Sequence, residues 1–210
     1  MPFKRIVAHV LVGTSMGISS TMYAQTAEMV IPTRTEPSKS LDTLVSDLEK
    51  KLVPLAEAMP ADKYNFVPSG EQFKIGRDVN YKGVRTFGQQ LAHIIQANDS
   101  FFFGVKGVAK PDAETTAKLA ASDKLTQKED LLKALRESFA SAHAAVATLT
   151  PENAWDHAGR RATDTRAEEV AHAVGHANDI YGQLVEYLRM NGIVPPASEG
   201  RPLANPSKTN

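Results

Sequence analysis

Four long amphipathic segments constrain the fold of this chain more than any other feature of its sequence. In each segment apolar residues recur at spacings of three and four, which is the period of a helix with one buried face. No stretch alternates apolar and polar residues in the way that predicts a half-buried strand. The sequence therefore predicts an all-α fold, a four-helix bundle. The predicted helices lie between Ser40 and Pro60, Thr86 and Val105, Thr126 and Pro151, and Thr165 and Asn191.

Capping residues and breakers mark the ends of these helices. Thr126 and Glu129 form a capping-box pattern ahead of the third helix, and Gly192 ends the fourth helix. We interpret the polar stretch after Pro111 as a connection. The segment 61–85 is longer than the about 12 to 15 residues usual for a structureless connection, so we expect it to cover one end of the bundle.

The first 24 residues resemble a secretory signal peptide. Lys4 and Arg5 precede a largely apolar run, and Ala24 offers a small residue for cleavage. The run falls short of the about 20 residues that span a bilayer, which argues against a retained membrane anchor. We therefore expect an exported protein, periplasmic or secreted. The expected organisation is a signal peptide at 1–24, a flexible spacer at 25–37, the bundle at 38–198 and a disordered tail at 199–210.

Composition limits the partners and the ligands that this chain can use. Its 24 basic and 24 acidic residues cancel, so no net charge favours nucleic acid or an anionic membrane surface as a partner. A small-molecule substrate is easier to accommodate. The chain has no cysteine, which excludes disulfides, thiolate ligands and a cysteine nucleophile. Any metal must be bound by nitrogen and oxygen atoms.

Three histidines are the candidate ligands. His172 and His176 are four residues apart on the fourth helix and therefore share one face, and His93 lies on the second helix. Three neutral imidazoles around a divalent ion leave an open coordination position. By spacing alone such a pair is more often a solvated or capped face than a ligand set. Ala173 stands where the zinc-protease pattern HExxH has glutamate, which disfavours a peptidase of that class.

Three stretches, in order, carry a resemblance to a known family: AMPADKYNFVPSGEQF, VRTFGQQLAHIIQANDSFF and EEVAHAVGHANDIYGQLVEYLRMNGIVPPAS. Over residues 40–198 the chain resembles the DinB-like (DinB/YfiT-like) family of metalloenzymes. This resemblance implies an up-down-down-up four-helix bundle with a divalent metal bound by His93, His172 and His176. Ile180 is a departure, since many relatives have a further histidine there. Its loss leaves the three ligands but removes a group that could transfer protons.

Other polar residues of the helices have a structural interpretation beside the functional one. His143 lies on the apolar stripe of the third helix, where we expect a satisfied core histidine, and His157 lies in a loop. Asn98 either ties two helices together or faces a cavity. Glu169 and Gln183 could orient the imidazole N–H groups as outer-shell partners, although a polar surface explains both residues equally well.

The leading functional hypothesis is a metal-dependent hydrolase or thiol transferase. Neutral ligands leave the ion its full charge, so it can lower the pKa of an exchangeable water toward about 7 or activate a thiol. Zinc is the expected ion, and nickel, iron and manganese stay open because imidazole suits several metals. The alternative is a non-catalytic bundle that binds a metal or an apolar ligand. Resemblance to the family also suggests a homodimer.

Overall fold

A computed structural model describes residues 34–70, 80–108, 111–158 and 163–200. Within these ranges the chain forms α-helices and no strand, which confirms the all-α class. Among the described residues, 3₁₀ turns at Ala61–Lys63 and Pro196–Ser198 accompany the helices. The helices are α1 (Pro37–Ala58), α2 (Phe87–Val105), α3 (Ala113–Ser122), α4 (Lys128–Val146) and α5 (Arg166–Met190).

Several expectations about the chain ends concern residues that the structure does not describe. The expected signal peptide at 1–24, residues 25–33 of the spacer and residues 201–210 of the tail lie outside the described ranges. Among the described helices, none has both the length and the apolar character needed to cross a bilayer.

Contacts near the helix ends give the direction of α1 relative to α4. His143, close to the end of α4, contacts Asp42, close to the beginning of α1. Lys128 at the beginning of α4 donates a 2.8 Å hydrogen bond to the carbonyl of Met59, just after α1. These two helices are therefore antiparallel.

Helices α2 and α5 are also antiparallel. The Arg166 side chain donates to the carbonyl of Val105 at 2.6 Å, which joins the beginning of α5 to the end of α2. At the opposite end, the Tyr187 hydroxyl donates to the carbonyl of Arg85 at 3.0 Å. Helices α2 and α5 therefore contact each other near both of their ends.

Helix α4 runs parallel to α2. Gly88 faces Leu131 where both helices begin, and further along the buried Asn98 donates its amide to the Ser138 hydroxyl at 3.2 Å. Asn98 therefore ties two helices together, the first of its two expected roles. Helices α4 and α5 each pack against both α1 and α2. Since α1 is antiparallel to α4, α4 is parallel to α2 and α2 is antiparallel to α5, the four long helices run up, down, down and up.

The short helix α3 was not expected from the sequence. Asp112 caps it by accepting a 2.7 Å hydrogen bond from the backbone N–H of Thr115, and Lys118 joins it to α2 through a 3.2 Å ion pair with Asp99. Its only buried residue is Ser122. A helix of 10 residues without a buried apolar stripe leaves no periodic signal, so the expected count of four helices omits it.

The beginning of the connection between α1 and α2 closes one end of the helix assembly. Tyr64 is 2 % exposed, packs edge-on against Phe87 with ring centroids 5.2 Å apart, and donates its hydroxyl to the carbonyl of Ala56 at 2.8 Å. The carbonyls of Phe66 and Tyr64 accept the backbone N–H groups of Phe87 and Gly88 at 2.9 and 2.8 Å. These are N–H groups that a helix cannot satisfy internally, so residues 64–66 fix where α2 begins.

His143 links α4 to two turns of α1. Its Nδ1 lies 2.5 Å from Asp42 Oδ1, and its Nε2 lies 3.1 Å from Glu49 Oε2. The side chain is 30 % exposed, so this histidine is satisfied, as expected, but lies between helices rather than within the core. Burial by itself would lower the pKa of His143, and the hydrogen bonds to both carboxylates outweigh burial and raise that pKa.

The close approach at Gly88 gives a prediction for stability. A Cβ built there would lie 3.3 Å from the Tyr64 carbonyl oxygen and 3.4 Å from Leu131 Cδ1, whereas one at Gly182 would meet nothing within 4 Å. We expect Gly88→Val to lower the free energy of unfolding by about 1 to 3 kcal/mol through overpacking. Urea denaturation measures this, with Gly182→Val as the matched control, for which we expect no loss. Equal effects of the two substitutions would contradict the close approach.

The pKa of His143 gives a second prediction. Because that pKa is raised in the folded state, the stabilisation is present below the unfolded pKa of about 6.5 and is lost as the pH rises through the folded pKa. We expect His143→Gln to cost about 1 kcal/mol at acidic pH and less at alkaline pH. Urea denaturation of both proteins at the two pH values, with His157→Gln as an exposed control, tests it. A cost independent of pH would refute the charged contact.

Candidate functional site

Capping boxes fix the first residues of α5 and α2. Because the rise per residue of a helix is constant, this also fixes how far along each helix the histidines lie. Thr165 accepts a hydrogen bond from the backbone of Glu168, while the Glu168 carboxylate accepts one from the Thr165 backbone at 2.7 Å. Thr86 and Gln89 make the same pair of bonds at the beginning of α2. With both beginnings fixed, the antiparallel contact aligns the middle of α2 with the first half of α5.

His93 on α2 and His176 on α5 come together across this contact. Their ring centroids are 5.0 Å apart, and the ring planes are inclined by 85°. Both side chains are partly exposed. Two imidazoles from different helices therefore share one solvent-accessible location.

His172 has a different environment, one helical turn before His176. Its Nδ1 lies 3.4 Å from a carboxylate oxygen of Asp164, and its ring centroid is 6.5 Å from that of Phe101. In the described part of the chain, no group of three or more histidine, cysteine, aspartate or glutamate side chains is arranged to bind a metal. The structure thus brings His93 and His176 together and leaves His172 beside them, paired with an acid.

An open cleft of about 490 Å³ adjoins the histidine pair. Phe101 forms part of its wall, with its ring centroid 6.0 Å from that of His176, and Leu119 of the unexpected helix α3 forms another part. The remaining lining residues are Gln96, Ala97 and Ser100. The two imidazoles therefore face a space with apolar walls and a few polar groups, which is typical of a small-molecule site.

The electrostatics of the cleft keep His93 neutral. Burial lowers the pKa of His93 first of all, electrostatic interactions with Arg85 and His176 lower it further, and the interaction with Asp123 opposes them. A neutral imidazole has a free nitrogen lone pair at neutral pH, which is the form that binds a metal or accepts a proton.

The three expected outer-shell residues do not line the cleft. Asn98 bonds to Ser138 on α4, and Gln183 accepts a 2.6 Å hydrogen bond from Gln90 of α2. Glu169 is fully buried, with 0 % exposure, so its interpretation as a polar surface residue is wrong. Gln183 instead holds α2 against α5, and Asn98 holds α2 against α4.

Sequence reasoning missed Asp164 as the acid beside His172. This residue precedes α5, and its backbone carbonyl accepts a 2.7 Å hydrogen bond from the N–H of Ala158, which closes the loop before the helix. The loop sequence carries no periodic or capping signal for such a contact. Ile180 is 3 % exposed in the core and offers no group to the cleft.

Comparison with known proteins identifies the family of this chain. A family model described as the DinB superfamily matches residues 45–184, which include all of α2, α3 and α4, most of α1 and α5, and the three candidate histidines. No curated protein matches the chain. The match covers most of the chain and confirms the resemblance noted in the sequence. This chain belongs to the DinB superfamily.

Proposed function

We propose that this protein binds one divalent metal ion through His93, His172 and His176 and uses it in a hydrolytic or thiol-transfer reaction on a small molecule. The observation that carries the proposal is the approach of His93 and His176 to 5.0 Å between ring centroids. It occurs across two helices, at the edge of an open cleft. Residues of separate helices that converge at a solvent-accessible location are typical of metal sites in helix bundles.

The donor set suits a divalent transition metal. All three candidate ligands are imidazoles, and the lowered pKa of His93 favours its neutral, metal-binding form. His172 joins the pair by a rotation of its side chain, which is 44 % exposed and therefore free of tight packing. Side chains of this kind change rotamer within nanoseconds. A carboxylate next to Nδ1, here that of Asp164, leaves Nε2 as the donor atom, an arrangement common among histidine ligands.

An ion at this location supplies Lewis-acid activation of water or of a thiol. The chain itself contributes the surroundings of the reaction. Phe101 and Leu119 provide apolar surface for the substrate and exclude water from two sides of the cleft. Ser100 and Gln96 offer hydrogen bonds that orient its polar groups. Zinc is the expected metal, and the three-nitrogen donor set also suits nickel, iron or manganese.

A non-catalytic metal- or ligand-binding protein is the second candidate. One observation favours it: among the described residues that line the cleft, only His93 and His176 can act as a general base near neutral pH. Both are needed as ligands in the first proposal. A protein that stores or carries a ligand needs no further base, so measured turnover decides between the two candidates.

The location and assembly of the protein are part of the same proposal. Lys4, Arg5 and the apolar run after them support export to the periplasm or the medium. Balanced charge supports a small-molecule substrate over nucleic acid or a membrane. Family resemblance supports a homodimer.

Metal content gives the first test. We expect tag-free protein, loaded with zinc and dialysed, to retain about one zinc per chain, the occupancy of a mononuclear site. His93→Ala, His172→Ala and His176→Ala should each bind zinc more weakly by more than the about 10- to 100-fold that outer-shell changes cost. Elemental analysis and competition with a chelating dye measure both quantities. His157→Ala, in an exposed loop, is the matched control, and unchanged zinc binding by the His93 and His176 variants would sink the proposal.

Turnover gives the second test. At equal zinc occupancy, the protein is screened against carboxylic esters, and against electrophiles together with a small thiol. We expect a rate that requires the metal and falls by about 100-fold or more in His176→Ala, because a bound metal lowers the activation free energy by several kcal/mol. A zinc-loaded protein without any such rate would favour the non-catalytic candidate.

A further inference from the structure

The cleft beside His93 and His176 continues into a second hollow. This hollow has a volume of about 360 Å³, and its lining includes Arg85, Gln89 and Asp123. His93 and Gln96 line both spaces, so the two form one groove with His93 at its middle. One end of the groove is apolar, at Phe101 and Leu119, and the other end is charged.

Two opposite charges lie at the charged end. Arg85 precedes α2 and Asp123 follows α3, and both are exposed. Asp123 accepts a 2.9 Å hydrogen bond from the Gln96 amide, which fixes the position of its carboxylate. In the part of the chain that the structure describes, no ion pair joins Arg85 to Asp123 or either residue to a third one. Both charges therefore remain available to a ligand.

A ligand with a single charge fits this hollow poorly. An anion that approaches Arg85 also meets the carboxylate of Asp123, and a cation that approaches Asp123 meets the guanidinium of Arg85. Two unit charges about 4 Å apart interact by about 1 kcal/mol in water and more near a protein surface, so each repulsion offsets much of the matching attraction. A ligand that carries both charges close together meets two attractions instead.

The distance between the charged and apolar ends also restricts the ligand. Leu119 and Asp123 are four residues apart at the end of α3, which corresponds to about 6 Å along a helix. An α-amino acid separates its charged head group from the centre of a large side chain by a similar length. Leu119 and Phe101 can then cover the side chain while the head group lies between Arg85 and Asp123.

We propose that this groove binds a ligand with a zwitterionic α-amino-acid head group, its carboxylate on Arg85, its ammonium on Asp123 and its apolar part along His93 toward Phe101 and Leu119. The inference rests on the proposed function only in taking this groove as the substrate site. It names the class of substrate that the site accepts, namely amino acids or small molecules that end in one.

Three probes that share one phenylethyl skeleton test the charge pattern. L-phenylalanine carries both charges, 3-phenylpropionate only the carboxylate, and phenethylamine only the ammonium. Their affinities are measured by NMR titration of the full chain without metal, because zinc itself chelates amino acids. We expect phenylalanine to bind about tenfold more tightly than either other probe, the effect of about one charge-assisted hydrogen bond.

Two variants assign the charges to residues. Arg85→Gln should weaken phenylalanine about tenfold and leave phenethylamine unweakened, whereas Asp123→Asn should weaken phenylalanine about tenfold and leave 3-phenylpropionate unweakened. Lys82→Gln and Asp62→Asn, at exposed positions outside the groove, are the matched controls and should change nothing.

Several outcomes overturn the inference. Equal affinity of 3-phenylpropionate and phenylalanine, with no effect of Asp123→Asn, identifies a site for simple anions instead. Failure of all three probes to bind saturably means that the hollow is no head-group site. The zinc content of the same preparations separates this result from the proposed function: zinc binding without phenylalanine binding sinks the inference alone, and the reverse sinks the metal proposal alone.

Discussion

The antiparallel packing of α2 against α5 is the constraint on which the rest of the site depends. Capping boxes fix where both helices begin, and contacts at both ends of the pair hold one register. In that register, His93 can only lie opposite His176. A shift by one helical turn, about 5.4 Å, would separate the two imidazoles. The contacts that stabilise this helix pair therefore also position the two histidines.

Around this pair, the helices serve different purposes. Helices α1 and α4 contribute core and cross-links such as His143 with its two carboxylates, far from the histidine pair in sequence. Helix α3 buries little, yet it contributes Leu119 to the cleft and leads into Asp123. This short helix is joined to α2 by the ion pair of Lys118 with Asp99. It therefore adds an apolar end, at Leu119, and leads to the charged end, at Asp123, of the groove beside the histidine pair.

The sequence was sufficient for the parts of the molecule that periodicity and capping encode. Helices α2 and α5 begin one residue after Thr86 and Thr165, where the periodic pattern predicts their beginnings. The predicted capping box of Thr126 and Glu129 is wrong, because α4 begins at Lys128 with Gln127 as its N-cap and without a side-chain cap. Helix α3 has no buried apolar stripe, so the sequence pattern did not predict it. The direction of the His172 side chain depends on its rotamer and on its contact with Asp164, which lies in a loop. The spacing of histidines along a helix predicts neither the rotamer nor this contact. Glu169 lies on the buried face of α5, and its polar residue type alone does not predict this burial.

The central claim is that imidazoles from α2 and α5 share one metal ion. X-ray absorption at the zinc edge of the loaded, tag-free protein counts the ligand atoms directly. The account predicts three imidazole nitrogens at about 2.0 to 2.1 Å from zinc. A spectrum with at most one imidazole around the metal would contradict it.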